Sequence, residues 1–398
     1  MIYLVVLLLL LLLSFRYDIN GKTEGRDLWY GVVLILFILI AGLRWRLGVD
    51  TPGYIETFYH KTFAIYNLTY DDLSIGKKPL WVLLNSLVFS LGGRFYIIQI
   101  IQATFVNVSI FLYFKKHCNY IFTCVLFYYI SAYIGLNMEA MKAAMSIAVV
   151  LYANDFLLEK KWVKAYLLYF VAILFHPQSL LLLLMPLFLL LRFDKKGLFA
   201  IVLTFIIGYT IQSFLGIYLD VIEAIGDDAI ISKSHAYTSN TQYINGNPSL
   251  IGKLVREYSY FIYLLLCMMY LKWKCPHDKL MKLEPFIMVG MLCIVMQMNV
   301  RIFYRYSQTF CVYRILLYAY VFVKIATNSR NLSYPLRFCK SLFIHFLPLI
   351  ICMLLPYTKN NTIVRYLPYN SVINCKIDKE REKFYHEWER CRANFKEY

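Results

Sequence analysis

Charge is scarce in this sequence, and acid is scarcer than base. Only 16% of the 398 residues are charged, with 24 Asp and Glu against 41 Lys and Arg. Soluble domains carry about a quarter of their residues as charge, and with 60% hydrophobic residues this chain has more apolar residue than any soluble domain needs. Other absences narrow the chemistry. There is no P-loop, no Gly-x-Gly-x-x-Gly turn, no His-x-x-x-His pair and no Asp-x-Asp between a strand and a helix. Nucleotide-sugar, ATP and zinc chemistry therefore lack support. The ten cysteines include no Cys-x-x-Cys pair and no metal-ligand spacing. Most read as small apolar fillers, and Cys375 and Cys391 would pair only in an oxidising compartment. No internal repeat is detectable, whereas transporters are commonly built from repeats. The first residues lack a basic region and a small-residue cleavage site, so 1–15 reads as a retained span rather than a signal peptide.

What remains is apolar: 60% hydrophobic residues, 18% aromatic, mean hydropathy +0.56. Apolar runs recur from end to end. The expected fold is an all-α polytopic integral membrane protein with about twelve transmembrane helices. The spans fall at 1–15, 28–42, 95–114, 120–135, 143–158, 162–175, 178–191, 198–219, 258–271, 285–298, 306–325 and 341–355. The run at 79–91 is different. Its length is roughly 20 Å at about 1.5 Å per residue, short of a hydrocarbon core of about 30 Å. It reads as a re-entrant or interfacial helix. The stretch 162–191 has lysines at one end and Arg192, Lys195 and Lys196 at the other. Both ends read as cytoplasmic, so the chain must turn at His176-Pro177. The formal charge of +17 is explained by Lys and Arg retained in cytoplasmic loops, and no nucleic-acid partner is expected. Residues 1–356 form one transmembrane domain with extracytoplasmic loops at 43–78 and 220–257, and 357–398 form a polar tail.

On this topology the unusual polar residues collect at the outer face. They are Arg44, Arg46, Asp50, Lys78, Glu139, Lys142, His176, Gln178, Ser179, Arg301 and Arg305. Charges beside hydrocarbon are costly, so a cluster at a membrane exit marks a functional site by default. Arginines suit bidentate contacts to phosphate, and an anionic lipid-linked substrate fits them. Lys142, Arg301 and Arg305 extend the same cationic set, Tyr54 orders the loop or touches sugar, and Ser179 is counted with the substrate-binding residues. Glu139 and His176 have the chemistry of a general base, and Asp50 orders the loop or joins them. The competing reading makes the arginines and Lys142 headgroup anchors and His176 a helix cap.

The stretch Arg46-Leu-Gly-Val-Asp50-Thr-Pro-Gly-Tyr54, with Phe58 four residues on, resembles the R-x-G-x-D-x-x-x-Y-x-x-x-F signature of the EpsG family of Wzy-like polysaccharide polymerases. Later features keep that family's order: Pro79-Leu-Trp81, the charged patch Glu139–Lys142, Phe175-His-Pro-Gln-Ser179, the Arg-aromatic patch 301–306 and Pro368-Tyr369. Two positions depart from it. Lys78 stands where the family often has Glu, and Lys142 where it usually has Arg.

The resemblance implies a glycosyltransferase-type polymerase in the bacterial cytoplasmic (inner) membrane. It would join oligosaccharide units carried on polyprenyl (undecaprenyl) diphosphate into capsule, exopolysaccharide or O-antigen. A flippase and a chain-length regulator are the implied protein partners. No cofactor or metal is required if Arg and Lys supply the positive charge. A lipid-oligosaccharide flippase and a membrane acyltransferase are the alternatives.

Overall fold

The computed structural model describes residues 2–48, 50–213, 259–300, 303–328, 336, 339–340 and 362–394. Arg301, the loop 220–257 and the span expected at 341–355 lie outside these residues. Where no water can bond the backbone, helix satisfies every N–H and C=O within the segment. The described residues are accordingly helical and contain no strand, only an isolated bridge between Arg44 and Ser371. Among the described residues, five helical stretches are long and apolar enough to cross a membrane: Ile2–Ile19, Phe95–His117, Met141–Leu158, Lys279–Asn299 and Cys311–Asn328. Shorter apolar helices accompany them, among them Pro79–Ser90 and Trp162–Phe175. The chain is a helical membrane protein, and about twelve spans is an expectation these lengths alone do not reach.

The chain divides into two units. The first comprises 1–189, 318–339 and 365–378. Up to residue 189 its helices in order are α1 (Ile2–Leu13), α2 (Arg26–Gly42), α3 (Thr51–Lys61), α4 (Pro79–Ser90), α5 (Phe95–His117), α6 (Ile121–Tyr128), α7 (Met141–Leu158), α8 (Trp162–Phe175) and α9 (Met185–Phe188), and it takes in residues 318–328 of the helix Cys311–Asn328. Helices α2 and α5 pack antiparallel. Tyr30 on α2 donates to the Phe111 carbonyl at 2.8 Å, and Gly42 lies so close to Ile100 that a Cβ there would sit 2.9 Å from its side chain. The chain between 43 and 94 therefore leaves and returns at the same end of this pair. Helix α4 makes no net crossing, as its length required.

The turn at His176 is also present. Helix α8 ends at Phe175, His176 is extended (φ −155°, ψ 120°), and Pro177 opens a 3₁₀ stretch, Pro177–Leu184, that runs back along α8. Tyr166 reaches the Leu183 carbonyl at 3.3 Å, which closes the hairpin. Helices α7 and α8 are antiparallel too, with Ser146 bonding the Ala172 carbonyl at 2.8 Å and Tyr169 bonding Asn154.

Residues 365–378 pack within the first unit, and 379–398 belong to the second. Val372 N–H bonds the Leu43 carbonyl and Trp45 N–H the Asn370 carbonyl, both at 2.8 Å. The polar C-terminal stretch contains the helix Lys379–Asn394.

The second unit comprises 190–317, 340–364 and 379–398. In it α10 (Lys195–Ser213) packs on the helix Glu284–Asn299 through small residues: a Cβ on Gly208 would lie 3.2 Å from Asn299. Buried Glu284 accepts bonds from Lys272 Nζ and Phe193 N–H, each at 2.7 Å.

Candidate functional site

The site grows from the loop after α2. Its backbone is bent by two residues in the left-handed region, Arg46 (φ 49°) and Gly48 (φ 97°). Only glycine fits the second, because a Cβ at 48 would lie 2.5 Å from the Met138 carbonyl oxygen. Asp50 then precedes α3, with Pro52 in the first turn, where its missing N–H costs nothing. Thr51 locks the junction by donating to the Leu47 carbonyl at 2.6 Å, with the Met138 carbonyl at 3.2 Å.

The partner segment is the approach to α7. Between α6 and α7 the chain widens into two π-helical stretches, Tyr129–Tyr133 and Gly135–Glu139. Such turns free backbone carbonyls and recur at functional sites. A buried amide network braces this one. Asn137 accepts from Asn107 at 2.8 Å and donates to Tyr128 Oη and the Tyr133 carbonyl, both at 2.9 Å. Glu139 emerges beside the loop. One of its carboxylate oxygens accepts from Asp50 N–H at 3.3 Å, and the other accepts a short bond from the Tyr366 hydroxyl.

Three residues on, Lys142 places its ammonium 5.1 Å from the Tyr54 ring centroid and 5.5 Å from that of Trp81. The two rings are themselves 5.7 Å apart. Trp81 comes from the first turn of α4, where Lys78 (φ 64°) and Pro79 set the start. The charge of Lys78 repels Lys142, and that of Asp50 attracts it. Cation–π contacts are worth about 0.5–2 kcal/mol each. They hold the ammonium without neutralising it, which leaves its charge for a ligand.

The first unit thus joins Asp50, Tyr54, Lys78, Trp81, Glu139, Lys142 and Tyr366 around one loop–helix junction, with Arg46 in the loop itself. The remaining expected residues are placed as follows. Arg44 is fully buried, two residues before Arg46 and across the Ser371 bridge. Its guanidinium donates to the Ala41 carbonyl and to Met141 Sδ. Burial draws its pKa down to about 10, against the pull of Tyr133 and Glu139, so it stays cationic at neutral pH. Ser179 is buried and bonds Ser146, one helical turn below Lys142. His176 stands at the top of α8, where its Nδ1 accepts from Gln178 N–H at 3.3 Å. Arg305 is exposed on the helix Phe303–Thr309 of the second unit. Tyr366 escaped the sequence reading. The nearest signal was the neighbouring Pro368-Tyr369, and Tyr369 itself bonds the Ile40 carbonyl at 3.0 Å. Among the described residues, no group of three or more His, Cys, Asp or Glu is placed to hold a metal ion. Cys375 is exposed and unpaired, and the side chain of Cys391 lies outside the described residues.

Fold and site together define a polytopic helical membrane protein with an acid, cations and aromatic rings clustered at one end of its helices. A model of the EpsG family matches residues 27–371, and the chain belongs to that family. Membership implies a membrane polysaccharide polymerase-like role with glycosyltransferase-type activity. No curated protein and no solved structure matches the chain.

Proposed function

We propose that this protein joins polyprenyl-diphosphate-linked oligosaccharide units into a surface polysaccharide at the outer face of a bacterial cytoplasmic membrane. The observation that carries this reading is the convergence of the Arg46–Tyr54 motif, the start of α4 and the Glu139–Lys142 patch on one junction. A polymerase of this type needs cations for a departing diphosphate, a base for one sugar hydroxyl and surfaces for the glycan. In this reading the acceptor hydroxyl attacks the anomeric carbon of the donor. The bond from that carbon to the diphosphate breaks, and polyprenyl diphosphate leaves with the electron pair. Arg46, Lys142 and Lys78 stabilise the charge that develops on the leaving group. Glu139 takes the hydroxyl proton, with His176 as the second possible base. Asp50 orders the loop through its backbone bond to Glu139. Tyr54 meets sugar. Arg44 and Ser179 hold the frame. The product would be capsule, exopolysaccharide or O-antigen, made alongside a flippase and a chain-length regulator.

The deciding experiment deletes the gene and locates the lipid-linked oligosaccharide. Single repeat units accumulating on the outer leaflet support the polymerase. Accumulation on the inner leaflet would replace it with a flippase. Polymer of full length lacking acyl groups would replace it with an acyltransferase.

A further inference from the structure

Between α3 and α4 the chain forms three short 3₁₀ turns, Ile65–Asn67, Tyr70–Leu73 and Ile75–Lys77. Their apolar side chains point outward. Tyr66 is 81% exposed and Tyr70 92%, and Phe63, Ile65 and Ile75 are each exposed by about half. Exposed Asn67, Thr69, Asp71 and Ser74 alternate with them, so the segment is amphiphilic rather than uniformly apolar. Isolated exposed apolar residues need no explanation, but a run of them within one short segment marks an interaction surface.

Three observations identify what covers it. First, the turns bond their own backbone: Asn67 N–H to the Ala64 carbonyl at 2.9 Å, Asp72 N–H to Thr69 at 3.1 Å and Lys77 N–H to Ser74 at 3.0 Å. Chain near hydrocarbon must satisfy its amides internally. Second, the segment packs on α4, with Ile65 N–H bonded to Ser90 Oγ at 2.8 Å. Helix α4 continues the apolar surface with exposed Leu87, and exposed Leu91 follows its end. It is about 18 Å long by its twelve residues and makes no net crossing, so that surface has no spanning role. Third, the charges are arranged for an interface. Asp72 is tied to Thr69 and to Lys77, and Lys61 flanks the start of the segment. Tyrosine with aliphatic neighbours and flanking lysine is the composition of a membrane–water boundary. A glycan surface would use the rings but has no use for exposed Ile65 and Ile75.

We infer that residues 63–75, with α4, form an interfacial wedge seated in the outer headgroup and upper acyl region of the bilayer. The lipid surface is the partner. The wedge begins two residues after α3, whose first turn carries Tyr54, so it sets the depth of the candidate site at the headgroups. The inference stands without the polymerase reading.

The test is spin-label accessibility in the full-length protein, freed of native cysteines and reconstituted in phosphatidylcholine–phosphatidylglycerol vesicles. Labels are placed singly at Tyr66→Cys, Tyr70→Cys and, as a water-facing reference on α3, Glu56→Cys. Each variant must elute as a single species before reconstitution. Oxygen should relax the labels at 66 and 70 more than a water-soluble nickel chelate does, with the order reversed at 56. Nickel exceeding oxygen at 66 and 70 would overturn the inference by placing them in water. Labels at 66 and 70 shielded from both reagents would overturn it by placing protein over them.

Discussion

Two arginines two residues apart have different surroundings. Arg44 is sealed between the Ala41 carbonyl and Met141, while Arg46 is only partly buried and lies on a left-handed turn. Arg44→Ala leaves a buried carbonyl without its donor and should lower the amount of protein in the membrane. Arg46→Lys should leave that amount unchanged and reduce turnover of lipid-linked repeats. Losing one charge-assisted bond costs about 1.5–3 kcal/mol, which is roughly ten- to over a hundredfold in rate at about 1.36 kcal/mol per decade. Full activity in Arg46→Lys, with protein amounts matched, would make that arginine an anchor. Tyr366 carries the second prediction. Its hydroxyl bonds the carboxylate proposed as base, so Tyr366→Phe and Glu139→Gln should be non-additive in turnover. A coupling of about 0.5–3 kcal/mol is typical of groups in one network. Strict additivity would separate Tyr366 from the chemistry.

At the scale of elements, the site depends on how closely the loop after α2 approaches the π-turn before α7. Gly48→Ala forces a Cβ onto the Met138 carbonyl at a positive φ, and strain of this kind costs about 1–3 kcal/mol. It should lower both melting temperature and turnover. Gly53→Ala is the control. Nothing lies within 4 Å of a Cβ there, and the residue is helical. Alanine should therefore be neutral or stabilising by about 0.5–1 kcal/mol. Equal damage at both positions would refute the close-approach account. The wedge has its own pH signature. Thr69 side chain and backbone, then Lys77, hold the Asp72 carboxyl down from the usual 3.8 to about 2. A depressed acid contributes stability above its unfolded pKa and loses it as pH falls through the folded one. The protection of amides over residues 65–78, relative to their intrinsic exchange rate, should therefore hold down to about pH 4 and fall between 4 and 2. Asp72→Asn should abolish that step.

These elements also show what the sequence discloses. The starts of α4 and of the stretch after His176 were legible because proline fixes the first helical turn, and the shortness of 79–91 forbade a crossing. The pairing of the loop with Glu139 was legible only as a shared face. The π-turns were not, because they arise from Asn107, Tyr128 and Asn137 meeting in three dimensions. Tyr366 lies 227 residues from Glu139, and no local pattern encodes that distance. The burial of Arg44 was hidden for a similar reason: its bridge partner, Ser371, belongs to a segment whose composition reads as a polar tail.

At the scale of the whole molecule the question is which end of the first unit faces out. Its helices sort polar residues to opposite ends. Glu139, Lys142 and His176 lie at one end of the α7–α8 pair. At the other, Asp155 on α7 bonds Lys116 at 2.6 Å and His117 at 3.0 Å, and Lys115 bonds Asp27 at 2.8 Å. Residues 139 and 155 are separated by about 24 Å of helix at 1.5 Å per residue, nearly the thickness of a hydrocarbon core of about 30 Å. Short loops rich in Lys and Arg stay in the cytoplasm, and the Asp155 end carries Lys115, Lys116, Lys160 and Lys161. The Glu139 end should therefore face outward. In a chain stripped of native cysteines, Glu56→Cys should react with an impermeant maleimide on intact cells. Lys116→Cys, half-exposed at the other end, should react only after the membrane is permeabilised. The antiparallel packing of α2 on α5 links the two results, because it fixes 43–94 to one side whatever the number of spans elsewhere. Labelling of position 116 from outside would invert the unit, place Arg46, Glu139 and Lys142 in the cytoplasm, and remove the outer-face polymerase with them.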